Sequence, residues 1–339
     1  MRSQIVIDLG ALRRNARTLA RAAAGAELWA VVKADGYGHG AVDCGRAALE
    51  AGARALCVAS VGEALALREA LPDARLIVLG PTSPEDVAGA RAARLELVTA
   101  TDDLPEGVPL HVKLDTGMGR WGLSELPSPS RDVVGLMTHL ATADSDPVFA
   151  RQQLERFLAA ASGVAGVTRH VANSAAALRL PETRLDAVRC GIALYGISPF
   201  GTDPAEDGLE PVLSWSTAVA QSRLLRAGES TGYGRRYVAS RDSWIGILPV
   251  GYADGLRRDL SGTNVVVDGA ARRVVGTVSM DAAAVELDGP VAPGTPVTIV
   301  GPGAPLEEHA RVAGTIAYEL ACGINSSPAR TERVVRGQG

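Results

Sequence analysis

Lysine is almost absent from this chain, and the two lysines that it has are the residues whose type most suggests chemistry. Among 34 Lys and Arg residues only Lys33 and Lys113 are lysines. A desolvated lysine amine can deprotonate, attack a carbonyl to form a Schiff base or be carbamylated, whereas a guanidinium stays charged. We therefore treat both as candidates for amine chemistry. The alternative for each is chance survival, with the ammonium group reaching the surface.

Eight short apolar segments, mostly separated by helical patterns, must position these lysines. Near-continuous apolar strands that alternate with helices indicate a parallel sheet buried on both faces, and eight of them predict an α/β fold of the (β/α)₈ TIM-barrel type. The predicted strands are 27–33, 55–60, 75–80, 95–99, 109–114, 132–140, 168–173 and 186–191, and the predicted helices are 9–24, 40–51, 62–71, 84–93, 147–162 and 173–179. The crossovers 99–109 and 119–132 are too short for a helix, which predicts a thin outer layer around the fifth strand.

The pattern changes after about residue 201. A linker rich in Gly, Pro and acidic residues, GTDPAEDGLEP (201–211), precedes closely spaced strand signals and one predicted helix over 306–323. This pattern of closely spaced strands predicts a second, all-β domain. We expect a barrel domain over 9–205 and a C-terminal β domain over 206–339 that also includes an N-terminal strand at 1–8.

The residues that could do chemistry follow the carboxyl ends of the predicted strands. Active sites of such barrels form at that face, and the last two loops commonly bind phosphate there. Ser174 and Gly191 lie in those loops and suit an oxyanion held by backbone N–H groups. The other residues at this face are Lys33, Lys113, His139, Asn173, Arg189 and Ile192.

A reactive lysine, a phosphate site and a nearby arginine together suggest pyridoxal phosphate. This cofactor needs a lysine for a Schiff base, an anchor for its phosphate and a partner for its ring nitrogen. Simpler readings stay open at this point. The segment DGYGHG (35–40) could be only a tight turn after a strand, and His139 and His170 could be core histidines with satisfied hydrogen bonds.

Composition excludes several other classes of protein. The net charge of −4 gives no electrostatic footprint for nucleic acid. No apolar run reaches transmembrane length, and the N-terminal segment lacks the features of a signal peptide, so we expect no membrane association and a cytoplasmic location. The four cysteines are scattered without a CxxC, which predicts free thiols and no metal site.

Seven collinear motifs resemble the alanine racemase family. They are VVKADGYGHG (31–40), HVKLDTGMGRWG (111–122), MTHLATAD (137–144), ANSAAAL (172–178), RCGIALYG (189–196), WIGILPVGYADG (244–255) and GTVSMDAAAVEL (276–287). The resemblance implies a pyridoxal-phosphate enzyme with an N-terminal barrel and a C-terminal β domain. It also implies a head-to-tail homodimer in which the β domain of one chain completes the active site of the other.

The resemblance implies a role for each matching position. Lys33 would hold the cofactor through a Schiff base and serve as one acid/base group, and Tyr252 of the partner chain would be the second. Two such groups on opposite faces of a planar carbanion are what racemisation requires. Arg189 would contact the ring nitrogen, and Arg120 and the backbone N–H of Met280 would bind the substrate carboxylate.

The remaining positions would support the cofactor or the substrate. By their types alone Tyr252 could instead be a buried strand aromatic, Arg189 an ion-pair partner and Met280 a core residue. Lys113 matches a position carbamylated in many members, and the short crossovers on either side of it put that modification in question. The supporting cofactor contacts would be Tyr37, His139, Asn173, Ser174, Gly191 and Ile192, with His170 nearby.

One departure from the family bears on specificity. Ser326 occupies the place of a usual tyrosine that contacts the phosphate and narrows the entrance to the site. The leading hypothesis is interconversion of L- and D-alanine, which supplies D-alanine for peptidoglycan. The alternatives are a racemase for serine or a broader range of amino acids, a pyridoxal-phosphate decarboxylase, and a non-enzymatic cofactor-binding paralogue.

Overall fold

Eight parallel strands form the sheet that carries the predicted site. The computed structural model describes residues 2–128 and 130–337, so Met1, Pro129 and the last two residues lie outside it. All eight predicted barrel strands are confirmed, each somewhat shorter than its sequence pattern. They are β2 (Glu27–Val31), β3 (Ala55–Val58), β4 (Leu76–Val78), β5 (Glu96–Thr99), β6 (Leu110–Lys113), β7 (Val133–Met137), β8 (Thr168–His170) and β9 (Ala187–Cys190).

The order of these strands in the sheet makes a barrel. The order is β8-β7-β6-β5-β4-β3-β2-β9, and every neighbouring pair is parallel. The two edge strands approach each other, because the Asp186 N–H donates to the Arg169 carbonyl (3.0 Å) and the Arg189 N–H donates to the Ala172 carbonyl (2.9 Å). Nearly every residue of these strands is buried, as expected for a sheet covered on both faces.

Helices cover most of the barrel's outer surface. The short segment α2 is labelled with them, but its backbone forms a left-handed turn and not a regular α-helix. The segments are α1 (Leu9–Ala23), α2 (Lys33–Tyr37), α3 (Ala41–Glu50), α4 (Val61–Ala70), α5 (Pro84–Ala92), α6 (Pro147–Ala160) and α7 (Ser174–Arg179), with 3₁₀ turns at Pro181–Thr183, Ile192–Tyr195 and Pro204–Asp207.

The two short crossovers contain no helix in the described residues, as the sequence predicts. An extended loop covers this side instead. The Leu123 N–H donates to the Lys113 carbonyl (2.8 Å), and the Asp115 N–H donates to the Leu123 carbonyl (2.9 Å). Leu123 and Leu126 pack against a buried cluster that includes Phe157 of α6. The loop thus replaces a helix as the cover of β6, which is the fifth strand of the barrel.

A second unit is built almost entirely of strands. The chain divides into Ala11–Glu210 and a unit made of Met1–Gly10 with Pro211–Gly339. The predicted functional domains, 9–205 and 206–339 with 1–8, remain a prediction, since these units are defined by compactness alone. One sheet of the second unit has nine strands in the order β11-β14-β17-β16-β15-β18-β10-β1-β19, and another pairs β12 with β13. The strands are β1 (Ser3–Asp8), β10 (Leu213–Ala218), β11 (Gln221–Leu225), β12 (Ser230–Thr231), β13 (Tyr237–Val238), β14 (Ser243–Leu248), β15 (Asn264–Val267), β16 (Ala270–Val275), β17 (Ala283–Leu287), β18 (Pro296–Val300) and β19 (Glu332–Arg336).

The single helix predicted over 306–323 is wrong. The structure has two helices there, α8 (Leu306–Ala313) and α9 (Ala317–Gly323). Gly314 ends the first helix with a left-handed φ of 65°, a conformation that glycine adopts without the steric cost of a Cβ. The unit also has 3₁₀ turns at Tyr233–Arg235 and Arg258–Leu260. None of the helices in the described ranges combines the length and the apolar character needed to cross a bilayer.

The cluster around Phe157 gives a direct test of how the helix-poor side is stabilised. Phe157 is fully buried, whereas its neighbour Leu158 is 39% exposed. We expect Phe157→Ala to lower the free energy of unfolding by about 3–5 kcal/mol through lost burial and a residual cavity. Leu158→Ala should change it by no more than about 0.5 kcal/mol. Urea unfolding followed by fluorescence compares them, and equal effects would show that α6 does not anchor this side.

Candidate active site

The predicted barrel residues lie at one face of the barrel because its strands are parallel. Lys33 lies two residues after the end of β2, Lys113 is the last residue of β6, and His139 lies two residues after the end of β7. Asn173 and Ser174 follow β8, and Arg189 lies in β9. The carboxyl ends of all eight strands point to the same side, which is where barrel enzymes place their active sites.

The backbone just after Lys33 is strained. Ala34, Asp35, Gly36 and Tyr37 have φ values of 53°, 48°, 62° and 54°. Left-handed conformation costs a residue with a Cβ about 1–2 kcal/mol. Such strain persists only where surrounding contacts hold it, and it concentrates at functional sites.

Two carboxylates hold this turn. The Ala34 N–H donates to Glu63 Oε1 (2.7 Å), and the other oxygen of Glu63 accepts the N–H of Ala59 (2.7 Å). Asp35 Oδ1 accepts the N–H of Ala41 (2.8 Å). Glu63 thus joins the turn to the end of β3 and fixes the backbone from which the half-buried Lys33 side chain projects.

Arg189 is a buried cation whose partners are all neutral. Its Nη1 donates to the His170 carbonyl (2.7 Å) and lies 2.8 Å from His170 Nδ1. Its Nη2 donates to the carbonyls of Thr138 (2.9 Å) and Val171 (3.2 Å) and lies 3.3 Å from His139 Nδ1. No carboxylate of the described residues forms an ion pair with it. Burial lowers the pKa of Arg189 to about 10, so it is still a cation at neutral pH.

Other cations surround Arg189. Lys113 is 3% exposed, and burial followed by repulsion from Arg120 and Arg189 lowers its pKa to about 8. Burial, Arg189, Lys113, Arg120 and Lys33 together hold the pKa of His139 well below its usual range, so its imidazole is neutral. The site therefore carries positive charge and is suited to a ligand with anionic groups.

Two of these cations contact the same aromatic ring. The Lys113 Nζ lies 4.5 Å from the centre of the Trp121 ring, and the Arg120 Cζ lies 4.4 Å from it. Contacts of this kind attract a cation to the ring face. The Trp121 ring thereby holds the otherwise exposed Arg120 beside Lys113.

The loops after β8 and β9 form a cradle of hydrogen-bonding groups. The N–H groups of Gly191 (3.0 Å) and Ala193 (3.5 Å) donate to Ser174 Oγ. In both bonds the Ser174 oxygen accepts, so its own proton can be donated to an anion. A Cβ at Gly191 would lie 2.4 Å from the Tyr37 hydroxyl, so only glycine allows this phenol to approach. The two hydroxyls and the adjoining backbone have the chemistry that a phosphate requires.

Asn173 and Ile192 border this cradle. The Asn173 Oδ1 accepts the N–H of Ala176 (3.1 Å) at the start of α7, and its Nδ2 donates to the Leu140 carbonyl (3.4 Å). Ile192 is buried and begins the 3₁₀ turn that follows β9. Both residues therefore fix the course of the two loops.

Tyr252, Met280 and Ser326 belong to the second unit. Tyr252 is 41% exposed and Met280 is 53% exposed, so neither is a core residue of the chain. The two lie together, because the N–H groups of Tyr252 and Ala253 donate to the carbonyls of Ser279 (3.0 Å) and Met280 (3.1 Å). Ser326 is half-buried beside Asn325, whose Nδ2 donates to the Ala253 carbonyl (3.0 Å).

A partly exposed arginine joins the two loops that carry Tyr252 and Met280. The Arg330 guanidinium contacts Asp254 Oδ1 (2.7 Å) and Asp281 Oδ1 (2.7 Å), and the Asp254 side chain has no exposed surface. Asp254 Oδ2 also accepts the N–H of Gly251 (2.9 Å). These ion pairs fix the neighbours of Tyr252 and Met280 relative to each other.

Sequence reasoning missed His111, Glu96, Glu63 and Trp121. His111 carried a usable signal, because it lies two residues before Lys113 on β6 and alternate residues of a strand point to the same side. Glu96 is an acidic residue at the start of an apolar strand, which was a weaker signal. Nothing in the local sequence distinguished Glu63 from an ordinary helix-capping residue.

The comparisons with known proteins agree along the whole chain. The family model described as "Alanine racemase, N-terminal domain" matches residues 7–199, and "Alanine racemase, C-terminal domain" matches residues 212–334. An alanine racemase of Levilactobacillus brevis is 40% identical, with 98% of each chain covered.

Solved structures agree as well. The alanine racemase of Streptomyces coelicolor superimposes with a TM-score of 0.91 at 36% identity, covering 99% of this chain and 98% of its own. The biosynthetic alanine racemase of Pseudomonas aeruginosa gives a TM-score of 0.91 at 34% identity, covering 99% of this chain and 100% of its own. This chain belongs to the alanine racemase family.

Proposed function

We propose that this chain is a pyridoxal-phosphate enzyme that interconverts L- and D-alanine and so supplies D-alanine for peptidoglycan. The observation that carries the proposal is the position of Arg189, a buried cation without a carboxylate partner, at the same barrel face as Lys33. Membership of the family gives the reaction class. The chemistry of the surrounding residues supports each role that follows.

The residues present fit the cofactor. Pyridoxal phosphate supplies an electron-accepting ring that stabilises negative charge at the α-carbon of an amino acid. The Lys33 amine would hold it covalently. The hydroxyls of Tyr37 and Ser174 and the backbone around Gly191 and Ile192 would bind its phosphate.

The residue at the ring nitrogen distinguishes this enzyme from a decarboxylase. Arg189 is a permanent donor, so a hydrogen bond from it would disfavour a protonated ring nitrogen and weaken the electron sink. A weak sink favours return of the proton to the α-carbon over side reactions. Decarboxylases on this architecture instead place a carboxylate at this position. His139, His170 and Asn173 would hold Arg189 and the neighbouring loops in place.

Two proton-transferring groups on opposite faces of the α-carbon would carry out the inversion. Lys33 would remove or return the proton on one face, and the Tyr252 phenol would act on the other. We propose that Tyr252 comes from a second copy of the chain in a homodimer. Its exposure, and that of Met280 beside it, supports this assignment, because a large exposed side chain suits contact with a partner.

The substrate carboxylate would be bound by Arg120 and by the backbone N–H of the partner's Met280. Lys113 contacts the same Trp121 ring as Arg120. With its pKa at about 8, a fraction of the Lys113 amine is uncharged near neutral pH. An uncharged amine can add dissolved carbon dioxide and release one proton to solvent, which forms a carbamate whose negative charge would hold Arg120 in place.

Two finer points of the proposal concern specificity and location. Ser326 leaves more room than a tyrosine, and one added hydroxyl on a substrate is discriminated only about 10–200-fold in such a pocket. Serine is therefore the competitor to measure beside alanine. We also propose a cytoplasmic location, which the small number of cysteines and their scattered positions without a CxxC motif support. Burial raises the pKa of Cys57 and Cys190 to about 12, so these thiols are unreactive.

The two lysines allow the covalent assignment to be tested without ambiguity. We expect borohydride reduction of the loaded enzyme to fix the cofactor on Lys33, as found by peptide mass spectrometry. Lys33→Ala should lose this label and about 10³-fold or more in racemisation rate. Lys113→Gln should keep the label, because it leaves Lys33 intact. A label on Lys113, or full activity of Lys33→Ala, would refute the assignment.

Mixing two inactive variants tests whether the site is shared between chains. Lys33→Ala and Tyr252→Phe should each be impaired as homodimers. After subunit exchange, half of the dimers are mixed, and each mixed dimer has one intact site if the site combines two chains. We therefore expect recovery of about a quarter of wild-type activity. No recovery, with mixed dimers confirmed by native mass spectrometry, would place both residues in one chain's site.

A further inference from the structure

A chain of hydrogen bonds leads from Arg189 into the interior of the barrel. Arg189 Nη1 lies 2.8 Å from His170 Nδ1, and His170 Nε2 lies 2.9 Å from His111 Nδ1. His111 Nε2 then lies 2.8 Å from Glu96 Oε2. Both imidazoles are fully buried. We call these four residues, from Arg189 to Glu96, the histidine relay.

The two ends of the relay fix the position of every proton in it. A guanidinium only donates, so its hydrogen bond requires His170 Nδ1 to accept and favours the proton of this ring on Nε2. His170 Nε2–H then donates to His111 Nδ1, which places the proton of His111 on Nε2 as well. That proton is donated to Glu96, because an ionised carboxylate only accepts.

The electrostatics of the interior agree with this order. Burial lowers the pKa of His111 and holds that of His170 well below its usual range, so both rings are neutral. Burial opposes ionisation of Glu96, yet hydrogen bonds from His111 and Arg75 lower its pKa to about 2. Arg75 supplies these bonds through Nε (2.7 Å) and Nη2 (2.9 Å).

The surrounding backbone and side chains are shaped to hold the two rings. A Cβ at Gly135 would lie 1.9 Å from His111 Nδ1, the atom that accepts from His170. The Trp29 ring packs against His170 at 4.5 Å and against His111 at 5.6 Å between ring centres. Neither imidazole can turn without displacing a neighbour.

We infer that Glu96 and His111 are positioning residues that stabilise the His170 tautomer which accepts from Arg189, and thereby hold Arg189 by hydrogen bonds without neutralising its charge. A carboxylate in direct contact would cancel that charge. The relay places the carboxylate of Glu96 two imidazoles away from Arg189 and presents only a lone pair of His170 to the guanidinium. The consequence for catalysis rests on the proposed role of Arg189, whereas the proton positions do not.

The wild-type enzyme provides the first test. Nitrogen-15 NMR of labelled histidines should show Nε2 protonated and Nδ1 unprotonated at both His111 and His170, with and without added pyridoxal phosphate. Signals would be assigned from variants that lack one histidine. A proton on Nδ1 of either ring, or on both nitrogens, would overturn the relay whatever reaction the enzyme catalyses.

A matched pair of variants tests its consequence. In Glu96→Gln the amide can donate as well as accept, so only the Arg189 end still favours one direction of the bonds. We expect a minor population of the second His170 tautomer in the spectrum and a loss of about tenfold in kcat, with KM for alanine changed less than about twofold. Glu27→Gln should leave spectrum and kcat unchanged, because Glu27 bonds to Arg75 and Trp29 at the same end of the barrel but to no histidine.

The remaining outcomes separate the relay from the proposed function. An unchanged His170 tautomer in folded Glu96→Gln, or an equal loss in Glu27→Gln, would overturn the inference. Should Glu96→Gln not fold, the wild-type spectrum still decides. If the wild-type spectrum is as expected but the enzyme does not racemise alanine, the proposed function fails and the assigned proton positions stand.

Discussion

The burial of one guanidinium without a carboxylate partner is the constraint around which the barrel site is arranged. An unpaired charge in a protein interior costs several kcal/mol unless hydrogen bonds replace those of water. Arg189 meets this requirement with carbonyls of Thr138, His170 and Val171 and with two imidazole nitrogens. These acceptors come from the carboxyl ends of two neighbouring strands, β7 and β8, and Arg189 lies on β9, so the approach of β9 to β8 that closes the barrel creates the binding site of the cation.

Backbone strain is a second unfavourable term at the same face of the barrel. The left-handed turn after Lys33 stores conformational strain that Glu63 and Asp35 hold by accepting backbone N–H groups. The barrel therefore fixes both the amine and the cation before any ligand arrives. Such preorganisation places groups where charge develops without a reorganisation cost during the reaction.

The sequence predicted the barrel well because its signals are local. Each strand is a short apolar run, and parallel strands bring Lys33, Lys113 and Arg189 to one face whatever the fine geometry. The break at Gly314 was also visible as a glycine in a helical pattern, yet glycine is often tolerated there, so one long helix was the natural prediction.

The histidine relay lay beyond prediction for a physical reason. Arg189, His170, His111 and Glu96 come from four strands separated by 15 to 59 positions along the chain between successive partners. No periodicity tells which inward-pointing side chains of different strands meet. The cover of the short crossovers was equally hidden, because Leu123 and Leu126 lie in a loop without a regular pattern.

The most direct measurement is the fate of the α-proton. The enzyme would be incubated with pyridoxal phosphate and L-alanine in D₂O, and the products separated by chirality and analysed by mass and NMR. The account predicts D-alanine that carries one deuterium at the α-carbon, with ethylamine and pyruvate no more than traces. Ethylamine as the main product, substantial pyruvate, or unchanged L-alanine with no D-alanine formed would contradict it.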